Sequence, residues 1–230
     1  MAGPHSPSDF DEVFGAADLP LIVGGQAVNL WAEVFENTSP NLRSFYPFLS
    51  RDADIVGNRE SAEALAKATG WQCRFIKERD SMIVAILTRP GTASDPLTLD
   101  VLQEVNGLTP ADLAINEVVE LSGRNRYRIP APVVLLRSKL YNLVSLVYEE
   151  RPQDLRHAQM LLHIVPAYLQ EMHTQHLRGL VSRETIVGAL DYTRRLIGEG
   201  FAGSAARAHA LDFSGLIPAD VTMMGERPQV

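Results

Sequence analysis

The chain has 230 residues, 46% of them hydrophobic and 21% charged, with a net charge of −7 and a single cysteine, Cys73. That is enough to bury a sizeable core as one domain or two lobes, and the acidic balance argues against a surface that coats nucleic acid. One thiol excludes an internal disulfide framework and a multi-cysteine zinc site, and the absence of any apolar run of about 18 residues excludes a spanning helix. The opening "MAGPHSPSDFDEVF" carries acids where a signal peptide needs basic and then apolar residues, so a cytoplasmic protein without membrane contact is expected.

After a loose start, Ser8 is placed to cap a short helix reaching about Ala17, with Asp9, Asp11 and Glu12 near its positive end. Leu19 to Val23 reads as a strand, Gly24-Gly25 as a tight turn, and Gln26 to Phe35 as a helix with Ala27, Leu30, Trp31 and Val34 inward. A polar and aromatic connection, "ENTSPNLRSFYPFL", leads to the strand Asp52 to Val56. The helix "NRESAEALAKATG" follows, ended by Gly70, and then two strands, "WQCRFI" and "MIVAILT", joined by "KERDS". Leu97 to Leu102 is a further strand, and "VVEL" and "RYRIP" are two short ones. From Pro132 the pattern turns helical: a buried helix through "PVVLLRSKLYNLVSLVYEE", a longer one with a kink or break at Pro166, one capped by Ser182, and a last short one in "GSAARAHALDF".

Two aspartates, Asp52 and Asp54, fall on one face of a strand whose other face carries Ala53 and Ile55. Neighbouring carboxylates repel and aspartate is a poor strand former, so something must offset the cost. A divalent cation would do so, and a solvated edge is the plainer alternative. In "LTLDVL" the alternation sends Asp100 away from Leu99 and Val101; alone it would serve equally as a partner for an arginine. Gly24-Gly25 before a helix lets a phosphate approach free amides, although such a pair is also an ordinary turn. Three acids on adjacent strands beside a phosphate-binding turn are what metal-dependent nucleotidyl transfer needs.

The ordered set "VGGQAVNLWAEVF", "SRDADIVG" and "LTLDVLQEVNGL" resembles the nucleotidyltransferase superfamily, and within it the AbiEii-type abortive-infection toxin group. "LLRSKLYNLVSLVYEERPQDLRHAQML" resembles that group's helical segment, so the likeness spans about Leu19 to Leu162. The resemblance implies an α/β (α+β) fold, with a mixed sheet and flanking helices over residues 1–130 and an all-helical bundle over 131–230 that closes on the nucleotide and ends in a polar tail. It implies that Gly24, Gly25 and Gln26 bind the nucleoside triphosphate and that Asp52, Asp54 and Asp100 ligate Mg²⁺ (or Mn²⁺). Asp100 would also help deprotonate the acceptor, Lys139 would reach a phosphate, and Asp154 would stand near the site. It further implies transfer of a nucleoside monophosphate to RNA (transfer RNA among the candidates) or to protein, by a toxin with an antitoxin partner. Gln26 departs from the serine or threonine common there, and the long insert before Asp52 is suited to shape an acceptor or base pocket.

Other residues have plain readings. Lys139 at the end of an apolar face would snorkel to solvent, and Asp154 would stabilise a helix start whatever the function. Arg151 and Arg156 read as a solvated face, His157, His163, His173 and His176 as surface or core histidines, "RNRYRIP" as an exposed hairpin, and Trp31 and Trp71 as packing residues. A second function class is a nucleotide-binding regulatory or partner-binding module without turnover.

Overall fold

A computed structural model describes residues 3–15, 19–78, 81–90, 96–121, 125–146 and 152–222. The expected positions Ala17, Arg79, Asp80, Arg124 and Arg151, the segment 147–150 and the tail from 223 lie outside the described residues. No described helix is long and apolar enough to cross a membrane.

The chain forms a mixed α/β structure around a seven-stranded sheet. Its strands are β1 (Leu21–Val23), β2 (Ala53–Val56), β3 (Gln72–Phe75), β4 (Ile83–Thr88), β5 (Thr98–Leu102), β6 (Asn116–Glu120) and β7 (Arg126–Pro130). The spatial order is β3-β4-β5-β2-β1-β7-β6, with β2/β5 and β1/β7 parallel and the other neighbours antiparallel. All the strands expected from the sequence are present, shortened by a residue or two at some ends, except that β6 begins two residues earlier than expected, at Asn116.

The helices are α1 (Asp11–Phe14), α2 (Gly24–Phe35), α3 (Arg59–Thr69), α4 (Pro110–Leu113), α5 (Pro132–Ser145), α6 (Pro152–Leu177), α7 (Arg183–Gly198), α8 (Gly200–His209) and α9 (Ala219–Thr222). Helix α3 begins at Asn58, whose side chain accepts from the Ser61 N–H, and stops at Gly70 in the left-handed conformation. Ser182 caps α7 in the same way through the Thr185 N–H. The short α4 follows a Thr109–Asp112 capping box that the periodicity alone did not expose.

Four expectations change. Ser8 lies inside a 3-10 helix, Pro7–Phe10, that Ser6 caps and that leads into α1. Helix α2 starts at Gly24 itself, directly from β1, so no separate turn intervenes. The insert before β2 holds a 3-10 helix, Pro40–Phe45. Pro166 neither breaks nor divides α6, which runs through it as one helix. Proline costs the helix one N–H donor, and α6 tolerates this because its buried stripe, including Leu161, Ile164, Val165 and Tyr168, is anchored on both sides of it.

One apolar core runs from the sheet into the helices without a break at residue 130. Ala53, Ile55, Ala85, Leu87, Leu99 and Val101 fill one sheet face, and α2 bridges that sheet to α6. Trp31 illustrates the junction: buried on α2, it meets the Tyr168 ring of α6 edge-on and donates from Nε1 to the Pro130 carbonyl at 2.8 Å. Strand alternation thereby leaves the opposite face of β2 and β5 pointing toward α5 and the start of α6, where the candidate site lies.

Candidate functional site

Pairing register assembles the acids. Asp54 on β2 is the direct partner of Asp100 on β5, and Asp54 also partners Val23, the last residue of β1. The same transverse row continues through Ile86 to Arg74 on β3. Partners in a row share a face, so Asp54 and Asp100 stand side by side immediately next to the Gly24 start of α2. Asp52 precedes β2 by one residue and lines the same cavity.

Gly24 is required twice over. Its φ is +66°, a region in which a Cβ is strained, and an added Cβ would overlap the Asp54 carboxylate. Gly25 is also forced, since a Cβ there would overlap Ser50 Oγ and press on the His157 ring. Gly24→Ala is expected to cost about 2–3 kcal/mol, from left-handed strain and displacement of Asp54. Urea unfolding checks this: the midpoint should fall with the slope unchanged. An unaltered midpoint would show that Asp54 can move aside freely.

The cavity between the sheet and α5/α6 has a volume of about 710 Å³ and is lined by Gly24, Gly25, Asp52, Asp54, Asp100, Lys139 and Asp154 among others. Seven of the eight residues singled out from the sequence therefore meet at one place. Gln26 is the exception. It is fully buried behind the helix start, where its Nε2 donates to the His5 carbonyl at 3.1 Å and its Oε1 accepts from Asn29 Nδ2 at 3.2 Å. Its side chain ties the N-terminal segment to α2 and does not reach the cavity, so it is removed from the nucleotide-binding set.

Lys139 does not snorkel. With 7% exposure it donates from Nζ to Asp154 Oδ1 at 2.7 Å, and Asp154 is equally buried. Arg156 is not on a free solvated face either: its guanidinium donates to the carbonyls of Phe45 and Pro47 and clamps the insert onto α6. Below this clamp lies a second cavity of about 910 Å³, lined by Tyr46 and Arg156, which shares Ser50, Arg51, Asp52, Pro152 and Gln153 with the first.

Burial dominates the electrostatics. It pushes the Asp54 carboxyl up to about 8, reinforced by the Asp52, Asp100 and Asp154 charges and opposed by Lys139. Asp100 is pushed up to about 6 by burial and by Asp52, with Arg74 opposing. The cluster thus holds more negative charge than Lys139 and Arg74 neutralise. Its donors are all carboxylate oxygens, which suits a hard cation. Among the described residues, no three His, Cys, Asp or Glu side chains form a group that could hold a metal ion by themselves. The donor set fits Mg²⁺ or Mn²⁺ arriving with substrate, since such ions take one or two carboxylates and complete their shell with water and phosphate oxygens.

His157 was passed over as an ordinary histidine. It is 1% exposed, lies on the cavity wall beside Gly25, and neither ring nitrogen has a hydrogen-bond partner among the described residues. Burial, with Lys139 and Arg156 nearby, holds it well below the usual histidine range, so it is neutral at pH 7. Spacing could not have revealed this, because the ring is buried against Gly25 at the start of α2, far away in the chain. His157→Leu should leave the ligand-free protein as stable or about 1 kcal/mol more stable, since it removes two buried unpaired polar atoms. A loss of stability on thermal melting would show that the ring is hydrogen-bonded in solution. His163 is half-buried and lines another cavity, while His173 and His176 sit farther along α6, where the His176 ring pairs with the Val181 carbonyl.

No protein-family model matches the chain, and no curated protein matches it.

Proposed function

We propose that the protein is a metal-dependent nucleotidyltransferase that moves a nucleoside monophosphate from a nucleoside triphosphate to an acceptor. The observation that carries this reading is the pairing of Asp54 with Asp100, both with raised pKa, against the glycine start of a buried helix. Anionic donors and free helix-start amides placed side by side fit a ligand with both cationic and anionic parts, as a metal–triphosphate has.

In this reading the first amides of α2 receive the triphosphate, and the two glycines allow its close approach. Asp52, Asp54 and Asp100 would hold Mg²⁺ or Mn²⁺, which when bound neutralises phosphate charge and acidifies the attacking hydroxyl. Asp100, with a pKa of about 6, is suited to take the acceptor's proton as its oxygen bonds to the α-phosphorus. The bond from that phosphorus to the bridging oxygen breaks, and pyrophosphate leaves with its electron pair. Lys139, aligned by Asp154, supplies positive charge close to Asp54. The insert-lined cavity meets the acids at Asp52 and gives the acceptor its approach, with Tyr46, 72% exposed, available for stacking on an RNA base.

The test is incubation of the protein with each α-³²P nucleoside triphosphate, Mg²⁺ and total cell RNA or lysate, beside an Asp52→Ala/Asp54→Ala control. Label should enter RNA or protein only with the intact acids. Absence of label from every fraction, with nucleotide binding retained, would favour a binding module without turnover. RNA is the favoured acceptor. A toxin role with an antitoxin partner follows from the sequence resemblance, and growth arrest on expression, relieved by the double variant, would support it.

A further inference from the structure

The cavity has a different chemistry at the end away from the insert. From Asp100, β5 continues two residues to Leu102 on the same face, about 7 Å along the strand. There Leu102 joins Met82 and Leu146 to line the cavity with apolar side chains, while Asn106 and Asn142 stand among them. Met82 is 45% exposed, so its side chain is open to a ligand in the cavity.

The orientation of each amide follows from the ion pair. A carboxylate only accepts hydrogen bonds. Asp154 takes Lys139 Nζ on one oxygen and Asn142 Nδ2, at 3.4 Å, on the other. Asn142 must therefore turn Oδ1 toward Asn106, whose Nδ2 donates to it at 2.7 Å and also to Ser145 Oγ at 3.3 Å. Ser138 Oγ pins the backbone of Asn106 by donating to its carbonyl at 2.9 Å. What remains of the Asn106 amide is Oδ1, an acceptor with no hydrogen-bond donor among the described residues. Glu104, exposed on the same lining, is likewise acceptor-only when ionised.

We infer that this apolar end is the nucleobase subsite and that Asn106 Oδ1 selects bases carrying a 4-amino group (pyrimidine) or a 6-amino group (purine), an inference that rests on the nucleotidyl-transfer reading of the same cavity. The N4 amine of cytosine or the N6 amine of adenine donates to Oδ1. The O4 of uracil or the O6 of hypoxanthine, at the matching position, opposes acceptor with acceptor. A site built around one fixed hydrogen-bonding group rejects the wrong partner because the group is left unpaired.

The experiment is calorimetric titration of the full chain with CTP, UTP, ATP and ITP in Mg²⁺ without acceptor, for wild type, Asn106→Ala and Ser145→Ala. Wild type should bind CTP and ATP about tenfold more tightly than UTP and ITP, and Asn106→Ala should bring both ratios near one. Ser145→Ala, which touches only the donor end of Asn106, should keep the ratios. A merely structural role for Asn106 would weaken all four nucleotides alike and leave the ratios intact, which overturns the inference. So does a wild type that binds all four equally, and the wild-type ratios are informative even if Asn106→Ala fails to fold. In both cases nucleotide binding persists and the transferase reading stands. Failure of every nucleotide to bind would overturn the transferase reading and the base assignment with it.

Discussion

Asp54→Asn is expected to abolish nucleotidyl transfer, by at least about 10³-fold, while making the ligand-free protein more stable at pH 8 by about 4–5 kcal/mol. The two effects share one cause. Burial beside Asp52 and Asp100 holds the Asp54 carboxyl at about 8, against about 4 for an ordinary aspartate. Between those values the unfolded chain gives up this proton while the folded chain retains it. Rising pH then favours the unfolded state, so Asp54 subtracts stability progressively from about pH 4 to 8. Asparagine has nearly the same shape and cannot ionise. The variant should match wild type below about pH 4 and gain on it as pH rises through the window. Urea midpoints at pH 4, 6 and 8 measure this directly, and a variant less stable than wild type at pH 8 would show that Asp54 is compensated in the ligand-free fold. The pattern is that of a site in which stability is given up for chemistry.

Lys139→Ala should have the opposite character, costing about 3–5 kcal/mol of stability along with the activity. Both members of the Lys139–Asp154 pair are 7% exposed, so truncating the lysine removes the cation from a buried carboxylate. The neutral double variant Lys139→Met/Asp154→Leu should recover most of that loss, because replacing a buried pair by apolar side chains of similar volume is close to neutral. Transfer should not recover. Chemical denaturation of the single and double variants separates the two contributions. If the single variant loses less than about 1 kcal/mol, the pair is solvated in practice and its burial does not carry the argument.

Much of the sheet was legible because alternation is a local property. Asp52, Ala53, Asp54 and Ile55 announce their faces in the sequence, and so do Leu99, Asp100 and Val101. What the residues alone could not supply was that β2 and β5 are neighbours in the register Asp54–Asp100, a pairing across 46 residues of chain that the structure places directly. Gln26 entered the nucleotide-binding set only through the family resemblance, which carries position and not side-chain direction. A helix turns about 100° per residue, and two positions on it has rotated into the core. His157, Arg156 and the Asn106–Asn142 relay were missed for a common reason. Each is defined by contacts between α5 or α6 and a segment distant in the chain, and none has a spacing that betrays it. At Pro166 local propensity predicts a kink or a break, and packing along α6 excludes the break.

On this reading Asp52, Asp54 and Asp100, one or two to each ion, take up divalent cation together with a nucleoside triphosphate. Asp54 retains its proton at pH 7 in the ligand-free protein, so ligation must expel it. The most direct measurement is calorimetric titration of nucleoside triphosphate with Mg²⁺ at pH 7, repeated in buffers of different ionisation enthalpy and again with Asp54→Asn. The account predicts Mg²⁺-dependent binding that releases close to one proton in wild type and markedly weaker binding by the variant. Binding that needs no Mg²⁺, releases no proton and survives Asp54→Asn would contradict it.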